Sequence, residues 1–291
     1  MAEKLIKLGI PAGSLKDATI ELFRKAGFSI SGSDRSFLPA IDDEQIQLTM
    51  LRAQEMSRYV ADGVLDAGIT GYDWIMENAS DVVEVCELAY SKATSKPARW
   101  VLAVPDESKV KKTSDLKGGI VATELVNVTR KFFADKNIDV KVEFSWGATE
   151  VKARLIDAIV ELTETGTSLV ANNLRIIDTV ITSTTRFIAN KQSWKDKFKQ
   201  EKIENITMLL RAAIDARSRV GLKMNVKKAD LDKILKVLPA EKSPTISNLA
   251  DPNYIAVEVI IEDKIERTLV PALKRAGASG IITYPLNKVI H

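Results

Sequence analysis

Within residues 156–174, IDAIVELTETGTSLVANNL, two acids lie near the ends of an apolar run: Asp157 and Glu161. The run ends in Glu164-Thr165-Gly166-Thr167-Ser168, a string of hydroxyls around one glycine. Hydroxyls and unpaired amides at the start of a helix suit an anion, and a helix dipole adds about 0.3–1 kcal/mol for a negative ligand. Carboxylates repel phosphate, so Asp157 and Glu161 need another target. The vicinal hydroxyls of a ribose suit them, since one carboxylate can accept two hydrogen bonds. Phosphate beside a diol describes a ribose 5-phosphate group. The same residues also fit a Ser or Thr helix cap flanked by surface acids.

To hold these groups, Asp157–Leu162 must be a buried strand, with loop 164–168 at its C-terminal end and Ser168 opening a helix. Its shortness, its β-branched residues and the glycine turn that ends it favour a strand. Elsewhere strand-like and helix-like segments alternate. KLIKLGI, IQLTMLR and LDAGITG read as strands; SLKDATIELFRKAG, closed by Gly27, QEMSRYVADG and YDWIMENA read as helices. The pattern restarts at ARWVLAVP and continues through IVATEL, VNVTRKFFADKNI and DVKVEFSW. RFIANK (186–191) reads as a strand returning to the first lobe. Such alternation predicts largely parallel sheets with helices on both faces and a cleft between two lobes. Residues 193–217 read as an amphipathic connector, and the βαββαβ order after it matches a ferredoxin-like unit. The expected fold is therefore α/β: a two-lobed core of the periplasmic-binding-protein kind plus a C-terminal ferredoxin-like (βαββαβ) domain. Residues 1–95 with 184–215 form lobe I, 96–183 lobe II, and 216–291 the last domain.

Composition narrows the chemistry. The 291 residues are 45% apolar and 28% charged, with 42 basic against 39 acidic residues and a net charge of +3. No basic block is interleaved with aromatics, so nucleic acid is not expected, and Lys109-Val110-Lys111-Lys112 reads as a solvated turn. The apolar runs fall far short of a membrane span of about 18 residues. Residues 1–10 read as a strand rather than a signal peptide. One cysteine, Cys86, excludes an internal disulfide and fits a reducing cytoplasm; it reads as an inert core thiol. The sole histidine is His291. A Ser-His-Asp triad, a Cys-His pair and a histidine-rich metal site are thus excluded within one chain.

The stretch GATEVKARLIDAIVELTETGTSLVANNLRIIDT resembles the phosphoribosyl-pyrophosphate (PRPP) signature of the ATP phosphoribosyltransferase family, the first enzymes of histidine biosynthesis. PAGSL (11–15), VADGVLDAGITGYDWI (60–75) and PTISNLADPNY (244–254) resemble further family segments in the right order. The C-terminal unit resembles the long form, which carries a histidine-sensing domain. The chain departs from the family at Ser14, where Arg is frequent, at Glu161 (Asp) and at Ser168 (Thr). It is also shorter between Glu150 and Asp157, with Ala153-Arg154 where proline is common.

The resemblance implies transfer of a 5-phosphoribosyl group from PRPP to N1 of ATP, with Mg²⁺ on the leaving pyrophosphate. Asp157 and Glu161 would be catalytic, and Asp157, Ala158, Glu161, Glu164, Thr165, Gly166, Thr167 and Ser168 would bind PRPP. No direct protein ligand to the metal is expected. Candidates for ATP are Gly13, Arg52, Asp66, Thr70, Gly71 and Asp73, although Arg52 also fits a surface salt bridge and Asp66 a structural turn. Glu124 and Glu143 are candidates for assisting proton loss; Trp100 and Trp146 read as core packing. Histidine as inhibitor would bind near Thr245, Ser247 and Leu249, in a homo-oligomer of dimers or hexamers. Two rivals remain at this point: a ligand-binding protein without catalysis, and a phosphoribosyltransferase for another base.

Overall fold

The computed structural model describes residues 4–32, 36–90, 97–239 and 244–290. They fall into two compact units, Met1–Thr207 and Met208–His291. The first unit begins β1 (Ile6–Ala12), α1 (Lys16–Ala26), β2 (Ile30–Ser31), β3 (Ala40–Ile41), β4 (Ile46–Arg52) and α2 (Ala53–Ala61). It continues through β5 (Ala67–Gly71), α3 (Tyr72–Glu77), β6 (Val83–Leu88), β7 (Ala98–Pro105), β8 (Ile120–Thr123), α4 (Val126–Asp135) and β9 (Lys141–Phe144). Then come α5 (Thr149–Lys152), β10 (Ala158–Thr163), α6 (Thr167–Ala171), β11 (Leu174–Ser183) and β12 (Thr185–Ala189). Helix α7 (Lys197–Asp215) follows, with the unit boundary inside it.

Two five-stranded sheets, in the orders β4-β1-β5-β12-β6 and β11-β7-β10-β8-β9, dominate the first unit, beside a two-stranded β2-β3 sheet. Each five-stranded sheet is mixed rather than largely parallel. β12 runs antiparallel to β5 and β6, and β7 runs antiparallel to β10 and β11. The cause is the double crossing between sheets: β6 leads into β7, and β11 turns at Thr184 into β12. A strand arriving from the other lobe enters against its neighbours. β11 is ten residues, LRIIDTVITS, rich in β-branched side chains, where the sequence reading named no strand.

β7 shows why these elements are strands. Trp100, Leu102 and Val104 pack in one apolar cluster and Val101 and Ala103 in another, so alternate side chains bury both faces. The glycine closing α1, Gly27, has φ 100°, the left-handed conformation its C-cap position requires. Cys86 is half-buried on β6, which among the described residues pairs with β12 alone, so it sits at a sheet edge and not in the core. Trp146 is 91% exposed, edge-on to Phe144 at 4.8 Å, because it stands in the loop after β9 rather than on a strand. It is not core packing.

The second unit is β13 (Arg219–Lys227), α8 (Leu231–Val237), β14 (Thr245–Asn248), β15 (Tyr254–Glu262), α9 (Glu266–Arg275) and β16 (Ser279–Pro285). Its sheet, β14-β15-β13-β16, is antiparallel throughout, the βαββαβ ferredoxin-like arrangement. Leu222, Met224, Val226, Val257, Ile234 and Leu273 pack together in its core.

Candidate active site

A cleft of about 470 Å³ opens between the two sheets of the first unit. The C-terminal halves of β1, β4, β5, β8 and β10, with the residues just after them, deliver Gly13, Arg52, Gly71, Glu124 and Glu161 to it. Strand ends converging where a chain changes sheet form the usual ligand crevice of open α/β folds. The crossing segments supply the remaining wall, including Leu88, Ser183 and Thr184. Among the described residues the buried Thr184 hydroxyl has no hydrogen-bond partner; nothing in the sequence periodicity marks it.

The loop after β10 is built from its own hydroxyls. The Gly166 amide donates to Thr163 Oγ1 at 2.7 Å, and the Thr165 and Thr167 hydroxyls lie 2.8 Å apart. Gly166 has φ 81°, a conformation that lets the chain reverse into α6 at no Cβ cost. Ser168 donates to Glu150 Oε1 at 2.6 Å. α6 is only five residues long, so local amides and hydroxyls, rather than a helix dipole, would hold an anion here.

Glu161 and Glu164 both line the cleft. Burial raises the Glu161 carboxyl above the ordinary glutamate range. Hydrogen bonds from Thr149 and the Leu162 amide oppose this, while the charges of Glu150 and Glu124 reinforce it. Asp157 does not join them. It precedes β10, is exposed, and accepts the Ile120 amide at 2.8 Å where β8 begins. It is four residue steps from Glu161, roughly 13 Å at about 3.3 Å per residue of extended chain. The expected pair of Asp157 and Glu161 around one diol is therefore not assembled; the acids that line the cleft with Glu161 are Glu164, Glu124, Glu87 and Asp73. Ala158, beside Asp157, is buried in a core cluster and does not line the cleft.

The candidates for ATP also divide. Gly13 and Arg52 line the cleft. Asp73 and Gly71 line it too, but both oxygens of Asp73 are engaged: Trp100 Nε1 donates at 2.6 Å and Ser183 Oγ at 2.8 Å. A Cβ at Gly71 would come within 2.0 Å of Asp73 Oδ1, so that glycine makes room for the folded-back carboxylate. Thr70 is buried and donates to the Ala53 carbonyl at 2.7 Å, tying β5 to α2. Asp66 sits at the far end of β5. It accepts the Lys7 amide at 2.8 Å, Ser193 Oγ at 2.6 Å and Lys199 Nζ at 2.6 Å. Burial alone would raise its pKa, but Lys199, the Lys7 amide and Ser193 together hold it below the usual range. Asp66 is a structural anchor for α7. Glu143 lies outside the cleft and pairs with Lys141 at 2.7 Å.

In the second unit, Thr245 and Ser247 are exposed on the edge strand β14, with Leu249 just beyond it and half-buried.

Comparison with known proteins gives concordant results. The family described as ATP phosphoribosyltransferase (HisG) matches residues 52–212, and the HisG C-terminal domain matches 216–288. A Thermodesulfovibrio yellowstonii protein named ATP phosphoribosyltransferase is 55% identical over 291 residues, covering all of both chains. One of the same name from Chlorobaculum parvum is 54% identical over 290 residues, 99% of each. Among solved structures, the Thermotoga maritima ATP phosphoribosyl transferase (HisG:HisZ) complex matches at TM-score 0.63 and 26% identity, over 74% of this chain and 100% of that one. A Listeria monocytogenes chain assigned to L-cystine ABC transport, 13% identical at TM-score 0.50 over 72% of this chain and 90% of that one, shares the fold alone. The chain belongs to the ATP phosphoribosyltransferase family, pentosyltransferases of histidine biosynthesis.

Proposed function

We propose that the cleft transfers the 5-phosphoribosyl group of PRPP to N1 of ATP and releases pyrophosphate. The observation that carries this is the pairing, at one end of β10, of a hydroxyl-lined loop with the cleft acids Glu161 and Glu164. The loop takes the 5-phosphate through the Thr165, Thr167 and Ser168 hydroxyls, with Ser168 turning from Glu150 to the ligand. Glu161 and Glu164 take the ribose hydroxyls, and their charge favours positive charge growing on the sugar ring. ATP lies against the opposite wall, with Arg52 as the cation for its phosphates. Mg²⁺ would be carried by the PRPP diphosphate rather than by a protein ligand, and when bound would offset the charge of the leaving group. With positioning and electrostatics supplying the rate, an internal histidine is unnecessary.

Histidine inhibits through the second unit, at the exposed Thr245 and Ser247 of β14 and the half-buried Leu249 just beyond it. That requires unequal affinity for active and inactive assemblies, which fits a homo-oligomer of dimers and hexamers. No described helix is long and apolar enough to cross a membrane, which is compatible with a cytoplasmic enzyme.

The test is direct: mix the protein with ATP, PRPP and Mg²⁺, then follow pyrophosphate and the absorbance of phosphoribosyl-ATP. Both should appear together. Turnover with a different base and none with ATP would reassign the acceptor, and binding without turnover would remove the catalytic reading.

A further inference from the structure

The six-residue helix α3 belongs to the first lobe by connection, since it follows β5 directly. Its side chains serve the second lobe. Asp73, in its first turn, accepts Trp100 Nε1 of β7 and Ser183 Oγ of β11, and its own amide donates to Ser183 Oγ at 3.1 Å. Those two residues flank the two crossings between lobes: Trp100 lies just after the first, and Ser183 just before the second. Trp74 packs edge-on against Trp100 at 5.9 Å and 89°, against the core of the second sheet. One turn after Asp73, Glu77 reaches α4. Its oxygens accept the Asn127 amide at 2.9 Å and the Val128 amide at 3.0 Å, and its carbonyl accepts Asn127 Nδ2 at 3.0 Å.

This second attachment replaces something the local sequence lacks. The N-cap of α4 is Leu125, which makes no side-chain cap. The first amides of a helix need acceptors, and here a carboxylate from the other lobe provides them. Both acids are buried, Asp73 at 4% and Glu77 at 9% exposure, so opening the cleft would break these hydrogen bonds together and exchange them for bonds to water. Gly71 is fitted to the same device, because any side chain there would collide with Asp73.

We propose that α3 is a two-point brace, with Asp73 and Glu77 as positioning residues that fix the angle between the lobes. The cleft is then held near its working shape before ligands arrive, unlike two-lobed folds that hinge shut around a ligand. This inference does not depend on the transferase reading. Burial also raises the Asp73 carboxyl, against the hydrogen bonds it accepts.

The test places spin labels at the exposed positions Arg24 on α1 and Lys131 on α4, in a Cys86→Ser background, and measures interlobe distances without substrates. The unbraced variants are Asp73→Ala and Glu77→Ala. Trp100→Phe, which keeps a ring but removes one donor, serves if an alanine variant fails to fold. The expected result is one narrow distance for the braced protein, unchanged by ATP or PRPP, and a clearly broadened distribution for each variant. In the variants kcat/KM should fall about 10-fold through lost orientation. A broad or ligand-dependent distribution in the unmodified protein, or variant distributions superimposable on it, would overturn the brace. Absence of turnover with intact distances would overturn the transferase reading and leave the brace standing.

Discussion

Glu161 is where function and stability pull in opposite directions. Its carboxyl is raised by burial and by Glu150 and Glu124, so ionising it costs the folded state. The folded pKa exceeds the unfolded one; the folded protein therefore holds the extra proton in that window, and stability falls as pH rises through it. Glu161→Gln should melt at the same temperature as the unmodified protein or higher at neutral pH, yet lose turnover. Glu161→Ala should stay folded while kcat falls on the order of 100-fold, the size of a lost electrostatic contact. The acid limb of kcat/KM should lie above the ordinary glutamate value of about 4.3 and vanish in Glu161→Gln. Asp66 runs the other way. Its pKa is depressed, so its contribution is present above the unfolded carboxylate pKa and is lost as pH falls. Removing it leaves Lys199 without its buried partner, and Asp66→Ala should cost about 3 kcal/mol in urea unfolding with little change in KM. The sequence placed Asp66 and Asp157 with ligands because both neighbour motif residues. A period of two puts Asp157 and Glu161 on one face of a strand but says nothing of which strand end meets the cleft.

The loop after β10 was legible from its glycine and hydroxyls, and so were most strands and helices, because their apolar spacing is regular. β11 was not: its run of Ile, Val and Thr follows a helix start closely, and two bulges against β7 break the alternation a strand should show. Mixed pairing was also hidden, since strand direction is set by the crossings between lobes and leaves no mark in periodicity. Bonds such as Asp73 to Trp100 join residues 27 apart in the chain and on different lobes, beyond any local pattern. A direct consequence concerns Gly166. Alanine there must hold φ 81°, a strain of about 1–2 kcal/mol. Gly166→Ala should weaken ribose 5-phosphate binding about 10-fold by calorimetry while the melting temperature moves only a few degrees.

Across the chain there are two units with separate cores: one whose two mixed sheets form a cleft, and a ferredoxin-like unit with β14 at the edge of its described sheet. If inhibition works through that edge, the double variant Thr245→Ala, Ser247→Ala should keep its turnover and lose its response to histidine. Retained inhibition, read by the same pyrophosphate assay, would move the effector site elsewhere. The order of elements and the last domain were readable from the sequence; the cleft's acids were only half so, since Glu161 and Glu164 face it and Asp157 does not. The most direct measurement is a crystal structure of the protein with PRPP bound. The 5-phosphate should lie in loop 165–168, with Ser168 released from Glu150 and the ribose hydroxyls on Glu161 and Glu164. A phosphate bound elsewhere in the cleft, with that loop unaltered and the ribose hydroxyls away from both acids, would contradict the account.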